Sequence, residues 1–175
     1  MEIYLIRHTS VDVPPGTCYG CTDVPLRDTF EQEAAETRRR LEGLSFDKVF
    51  CSPLSRAARL AAFCGYPDAE RCDRLKEMNM GEWEMRRFDD ITDPQLQRWY
   101  DDYLNQPTKG GESFRDLYAR VTDFLNELRG KEYKRVALFA HGGVLICARV
   151  FAGQIRMEDG FDQLTPYGGV ERIEV

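Results

Sequence analysis

Two histidines, His8 and His141, are the only imidazoles among 175 residues. Each stands at the carboxyl end of a short apolar run that reads as a buried strand. Open α/β sheets hold their ligands beyond the carboxyl ends of the strands. Either histidine alone reads more simply as a packed or surface residue, so it is the matched placement that makes them a candidate pair. Arg7 precedes His8, and Arg56 lies in Ser52-Pro53-Leu54-Ser55-Arg56-Ala57, one turn into a helix that follows another strand. A guanidinium forks onto two phosphate oxygens and stays charged at physiological pH; the plainer reading of Arg56 is a surface salt bridge. Backbone N–H groups after each histidine can face an anion. These residue types suit nucleophilic attack on phosphorus by His8, with Arg7, Arg56 and His141 around the phosphoryl oxygens.

A leaving oxygen also needs a proton. The stretch Leu75-Lys76-Glu77-Met78-Asn79-Met80-Gly81-Glu82-Trp83-Glu84 lacks regular periodicity and reads as a loop over the strand ends. Glu77, beside Leu75 and Met78, is the carboxyl expected in the site as general acid and base; Glu82 and Glu84 read as solvated. Tyr19, Met80 and Trp83 could stack on an aromatic base, although Trp83 could equally pack the loop onto the body.

Several elements must position these groups. Strands are expected over 2–6, 47–51, 70–73, 135–140 and 169–175. Helices are expected over 28–41, from Ser52-Pro53 to about 64, over 94–104 and 113–129, and over 144–151. Ser52-Pro53 has the look of an N-cap followed by proline at the first helical position. Residues 9–26, with Pro14, Pro15, Gly16, Gly20 and Pro25, form a long loop of the kind that carries function. Gly110-Gly111-Glu112-Ser113 reads as a turn and a capped helix start. No repeat or linker divides the chain, so 1–175 is expected to be one domain: a three-layer α/β/α sandwich with a mainly parallel central sheet.

The composition narrows the function classes. A formal charge of −6, from 24 basic and 30 acidic side chains, repels nucleic acid and acidic membrane. Arg38-Arg39-Arg40 follows Glu31, Glu33 and Glu36 at helical spacing and reads as a solvated face. No apolar run spans a bilayer, and no signal-peptide pattern is present, so a cytoplasmic protein is expected. Six cysteines then need not pair. Cys18 and Cys21 have CxxC spacing but no second ligand pair for zinc and no helix opening after them, so neither a metal nor a redox role is assigned.

Arg7-His8-Thr9, Ser52-Pro53-Leu54-Ser55-Arg56-Ala57, Glu77 before Gly81-Glu82-Trp83-Glu84, and Ala140-His141-Gly142-Gly143 together resemble the histidine phosphatase superfamily, which includes the cofactor-dependent phosphoglycerate mutases. The resemblance runs over nearly the whole chain, in motif order. It implies a phosphoglycerate mutase-like fold and a metal-independent hydrolase without cofactor that works through phosphohistidine on His8, with His141 protonated. The implied catalytic groups are His8, Glu77, His141, Arg7 and Arg56. Contacts to a small phosphate monoester fall at Arg7, Arg56, His141, Thr9, Tyr19, Gly20 and Gly142.

Val13-Pro14-Pro15-Gly16-Thr17-Cys18-Tyr19-Gly20, Thr22-Asp23-Val24-Pro25-Leu26 and Gly110-Gly111-Glu112-Ser113 look like the alpha-ribazole phosphatase branch. Mutase-type transfer, a sugar-phosphate or nucleotide phosphatase, and a non-catalytic phosphate-binding module are the alternatives. Departures from the superfamily pattern are Thr9 where glycine is usual, Val11 to Pro14 in place of the downstream Thr and Asn, and Met85 where glycine often follows Trp-Glu.

Overall fold

The computed structural model describes residues 1–175. Its centre is a five-stranded sheet formed by β1 (Glu2–Arg7), β2 (Lys48–Cys51), β3 (Glu70–Arg71), β4 (Arg135–Ala140) and β5 (Val170–Glu174), in the order β3-β2-β4-β1-β5. β2 pairs in parallel with β3 and β4, and β4 in parallel with β1; β5 runs antiparallel along β1. The helices are α1 (Phe30–Arg40), α2 (Ser55–Phe63), α3 (Gln95–Asp101), α4 (Phe114–Arg129) and α5 (Gly142–Phe151).

Alternation along the strands supplies two apolar faces. Ile3, Leu5, Phe50, Val136 and Leu138 join one core with Leu117, Val121, Phe124 and Leu125 of α4 and Val144 to Ala148 of α5. Ile6, Cys51, Ala137 and Phe139 face the opposite side, with Phe30 and Ala34 of α1 and Leu60 and Ala61 of α2. The result is the three-layer sandwich expected from the sequence. Ser113 opens α4 with a reciprocal capping box to Asp116.

The start of α2 differs from its expected place in a way that changes the role of Ser52. α2 begins at Ser55 with Leu54 as a cap that makes no side-chain bond. Ser52 instead lies just beyond β2 and accepts the Leu54 N–H on its own oxygen at 3.2 Å. A Ser-Pro dipeptide before a helix looks the same in sequence whether its hydroxyl caps the helix or faces a neighbouring strand.

Candidate active site

The parallel register builds the site. Cys51 of β2 lies opposite Phe139, and Arg7 of β1 lies opposite Ala140. The next residue of each strand, Ser52, His141 and His8, therefore stands at the carboxyl edge of three adjacent strands. Backbone bonds fasten them there: His8 N–H to the Ala140 carbonyl at 3.1 Å and Ser52 N–H to the Phe139 carbonyl at 2.9 Å. The two imidazole centroids are 5.2 Å apart.

His8 Nδ1 lies 2.7 Å from the Thr9 carbonyl oxygen. A carbonyl only accepts, so Nδ1 carries the proton and Nε2 keeps its lone pair. Burial, then Arg56 and Arg7, push the His8 pKa down to about 3 against the pull of the Thr9 carbonyl. The ring is neutral and oriented, the state a nucleophilic imidazole requires. His141 is fully buried. Burial, then His8, Arg56, Arg120 and Arg7, hold its pKa well below the ordinary value. The expected cationic His141 belongs to the phosphate-bound enzyme, where a dianion favours the charged form; without that anion, burial above all shifts the ring towards its neutral form.

Arg56 is fully buried and spends Nη1 and Nη2 on the Thr22 and Gly20 carbonyls, at 2.8 and 2.5 Å. Arg7 donates from Nη1 to the Thr165 carbonyl at 2.6 Å, and its guanidinium lies 4.1 Å from the Tyr167 ring centroid. Four atoms at these residues are buried with no hydrogen-bond partner: Arg7 Nε, Arg56 Nε, His141 Nδ1 and Thr9 Oγ1. Each such orphan costs about 1–3 kcal/mol, so their concentration around the His8 ring signals a function. An oxyanion is the kind of acceptor that guanidinium and imidazole donors of this sort take.

Glu77 stands beside this cradle. Its Oε1 accepts the Met78 N–H at 3.0 Å and its Oε2 the Gly143 N–H at 3.1 Å, near the start of α5. Arg120 holds the segment from below, donating to the carbonyls of Arg74, Lys76 and Glu77 at 2.7–2.9 Å and forming an ion pair with Glu112 at 2.7 Å. Glu77 also lines a cleft of about 190 Å³ whose walls include Tyr19, Met80, Trp99, Tyr103 and Phe161. Glu77 is its one charged side chain. The arrangement can therefore pair a phosphoryl site with a carboxyl and an aromatic seat for a leaving group.

The remaining sequence candidates divide. Tyr19 lines the cleft, and its hydroxyl lies 3.1 Å from that of Tyr167. Burial and that bond raise its pKa, so it is a neutral phenol. Gly142 backs Arg7: a Cβ there would meet Leu164 Cδ1 at 2.7 Å and the Arg7 guanidinium at 3.4 Å. Gly20 is a support, since its N–H goes to Glu84 and a Cβ would fall 1.8 Å from the Met78 carbonyl oxygen.

Trp83 is fully buried against Trp99, with ring centroids 5.9 Å apart, so it packs the loop and Trp99 lines the cleft in its stead. Glu82 pairs with Lys109 at the surface. Glu84, expected to be solvated, accepts from Gly20, Cys21, Met80 and the Thr22 hydroxyl at 2.8–3.1 Å. Cys18 is buried and the Cys21 thiol donates to Glu84 at 3.3 Å; all six cysteines are free thiols. Sequence reasoning missed Ser52, Tyr167, Arg120 and Glu84 as parts of this assembly. Only Ser52 carried a usable signal, as the residue after a third strand.

Residues 3–174 match the histidine phosphatase superfamily (branch 1). The adenosylcobalamin/alpha-ribazole phosphatase of Escherichia coli K12 is 31% identical over 153 residues, covering 83% of this chain and 75% of that protein. A protein of Escherichia coli O1:K1 / APEC named "Probable phosphoglycerate mutase GpmB" is 30% identical over 162 residues, covering 84% and 72%. The crystal structure of the alpha-ribazole phosphatase from Shigella flexneri superimposes with a TM-score of 0.90 at 26% identity, covering all of this chain and 91% of that one.

Proposed function

The chain belongs to the histidine phosphatase superfamily and is a phosphatase hydrolase; we propose that residues 1–175 form one domain that cleaves a small phosphate monoester, alpha-ribazole 5′-phosphate, through phosphohistidine on His8. The observation that carries the chemistry is the set of four buried, unpartnered polar atoms around a neutral His8 whose Nε2 is free.

In the first step Nε2 attacks phosphorus in line, the N–P bond forms and the P–O bond to the leaving alcohol breaks. Glu77, at the border of cradle and cleft, gives its proton to the leaving oxygen. Arg7, Arg56 and His141 stabilise the equatorial oxygens of a loose transition state, which asks mainly for positioned charge and donors. In the second step water attacks phosphorus, its proton passes to Glu77, and the N–P bond breaks to restore neutral His8. Neither step calls on a metal ion. The acid must carry its proton in the first step, so Glu77→Ala is expected to lower kcat about a hundredfold or more; full activity of that variant would reject Glu77 in that role.

The substrate rests on the cleft and on the names of the relatives. An apolar, aromatic seat with no cation suits a flat base on the leaving alcohol. It gives nothing to the carboxylate or second phosphate of a phosphoglycerate, which disfavours the mutase reading. The acidic composition supports a protein that engages neither nucleic acid nor acidic membrane, the six free thiols support a reducing, cytoplasmic setting, and no helix is long and apolar enough to cross a bilayer.

The test is phosphate release in EDTA from alpha-ribazole 5′-phosphate, 3-phosphoglycerate and sugar phosphates, with His8→Ala beside the wild type. Preference for the first, abolished in His8→Ala, is expected. Equal rates on all substrates would remove the alpha-ribazole assignment, and dependence on added metal would remove metal independence.

A further inference from the structure

Ser52 and His141 make a contact that the reaction above does not use. Both side chains are fully buried, and Ser52 Oγ lies 2.8 Å from His141 Nε2. The Ser52 oxygen also accepts the Leu54 N–H at 3.2 Å. A hydroxyl has one proton to give and two lone pairs. If His141 donated from Nε2, both lone pairs of Ser52 would be taken and its hydroxyl proton would be left without an acceptor in a sealed site. His141 Nδ1, already without a partner, would then show a bare lone pair to any anionic oxygen. The opposite arrangement satisfies Ser52 completely and leaves one orphan, an N–H at Nδ1.

We infer that Ser52 is a positioning residue: its hydroxyl donates to Nε2 of His141 and so fixes the tautomer whose Nδ1–H serves the transferring phosphoryl group. This rests on the phosphohistidine reading and adds to it the origin of the Nδ1–H that faces the phosphoryl group. The three strand-end residues then form a graded row. Ser52 orients His141, His141 donates to phosphate, and His8 attacks. His8 and His141 share one tautomer, set by a carbonyl in the first case and by a hydroxyl in the second.

With two histidines in the chain, the ring region of a ¹⁵N-histidine NMR spectrum holds four nitrogens, and His8→Gln assigns them. The expected spectrum of the wild type has a protonated Nδ1 and an unprotonated Nε2 on both rings. A protonated Nε2 on His141, alone or together with Nδ1, overturns the inference whatever the enzyme acts on. Ser52→Ala is expected to move the His141 proton to Nε2 and to lower kcat/KM ten- to a hundredfold, on the order seen for loss of an outer partner that orients a histidine. Ser52→Thr, which keeps the hydroxyl, is expected to retain the wild-type His141 signature; loss of that signature with the fold intact would count against the inference. Inactivity of the wild type on every phosphate ester would strike the proposed function and leave the NMR result standing.

Discussion

Met85 has φ of 64° and is 45% exposed. The left-handed region costs a side-chain-bearing residue about 1–2 kcal/mol, and glycine would return part of that as unfolded-state entropy, roughly 0.5–1 kcal/mol. Met85→Gly is therefore expected to stabilise the protein by about 1 kcal/mol and to raise Tm by about 2–4 °C. An unchanged or lower Tm in a calorimetric scan would show that the Met85 side chain has contacts worth the strain. Gly143 is the opposite case, since a Cβ there would lie 2.5 Å from Glu77 Oε1 and 2.9 Å from Leu117 Cδ2. Gly143→Ala should displace the carboxyl and lower kcat about a hundredfold or more, as loss of a general acid does. Inhibition by inorganic phosphate should change less than about threefold, because the arginines stay seated. Equal losses in both would mean that the cradle and the acid are one unit.

At the scale of elements, Glu84 ties the loop 18–22 to the loop 76–84. Burial alone would raise its pKa, yet the bonds from Thr22, Gly20, Met80 and Cys21 outweigh it and hold the carboxylate below its usual range. The tie extends to chemistry, because the carbonyls of Gly20 and Thr22 seat Arg56. Glu84→Ala leaves buried donors unmet and is expected to cost about 2–4 kcal/mol. Hydrogen exchange should quicken at 20–22 and 80, and kcat/KM should fall although Glu84 does not line the cleft. Unchanged exchange in both loops would refute the clamp.

This clamp also marks where sequence reading stops. Strands such as 135–140 and helices such as 113–129 repeat an apolar period and could be placed to within a residue or two. The general features of the site followed, because His8, His141 and Arg56 sit at or near strand ends. Glu84, Arg120 and Tyr167 bind partners far along the chain with no local pattern. A carboxylate in an aperiodic loop reads as solvated until the fold brings backbone donors to it. Trp83 and Trp99 show the same gap: which tryptophan lines the cleft depends on which one the body of the protein covers.

For the molecule as a whole, two buried neutral histidines make stability depend on pH. In the unfolded chain His8 takes up a proton near pH 6.5; in the folded protein it does so only near 3. Over that window the unfolded state binds more protons, so stability present above pH 6.5 is lost as the pH falls towards 3. Each unit is worth about 1.4 kcal/mol per group, so urea unfolding at pH 5 should show a free energy lower by about 2 kcal/mol from His8 alone. His141 adds in the same direction, because its pKa is also depressed. His8→Gln should flatten the dependence, and an unaltered slope would mean that carboxylates account for it. The strand order carries a further consequence, for synthesis. β1 lies between β4 and β5, which begin at Arg135 and Val170. A ribosome adding 5–20 residues per second takes roughly 6–26 s to go from Arg7 to Arg135. Throughout that interval the strand that leads into His8 lacks both of its native neighbours. A nascent chain stalled before residue 135 carries His8 without a site, and an apolar segment that the cell must keep from aggregating until its partners emerge.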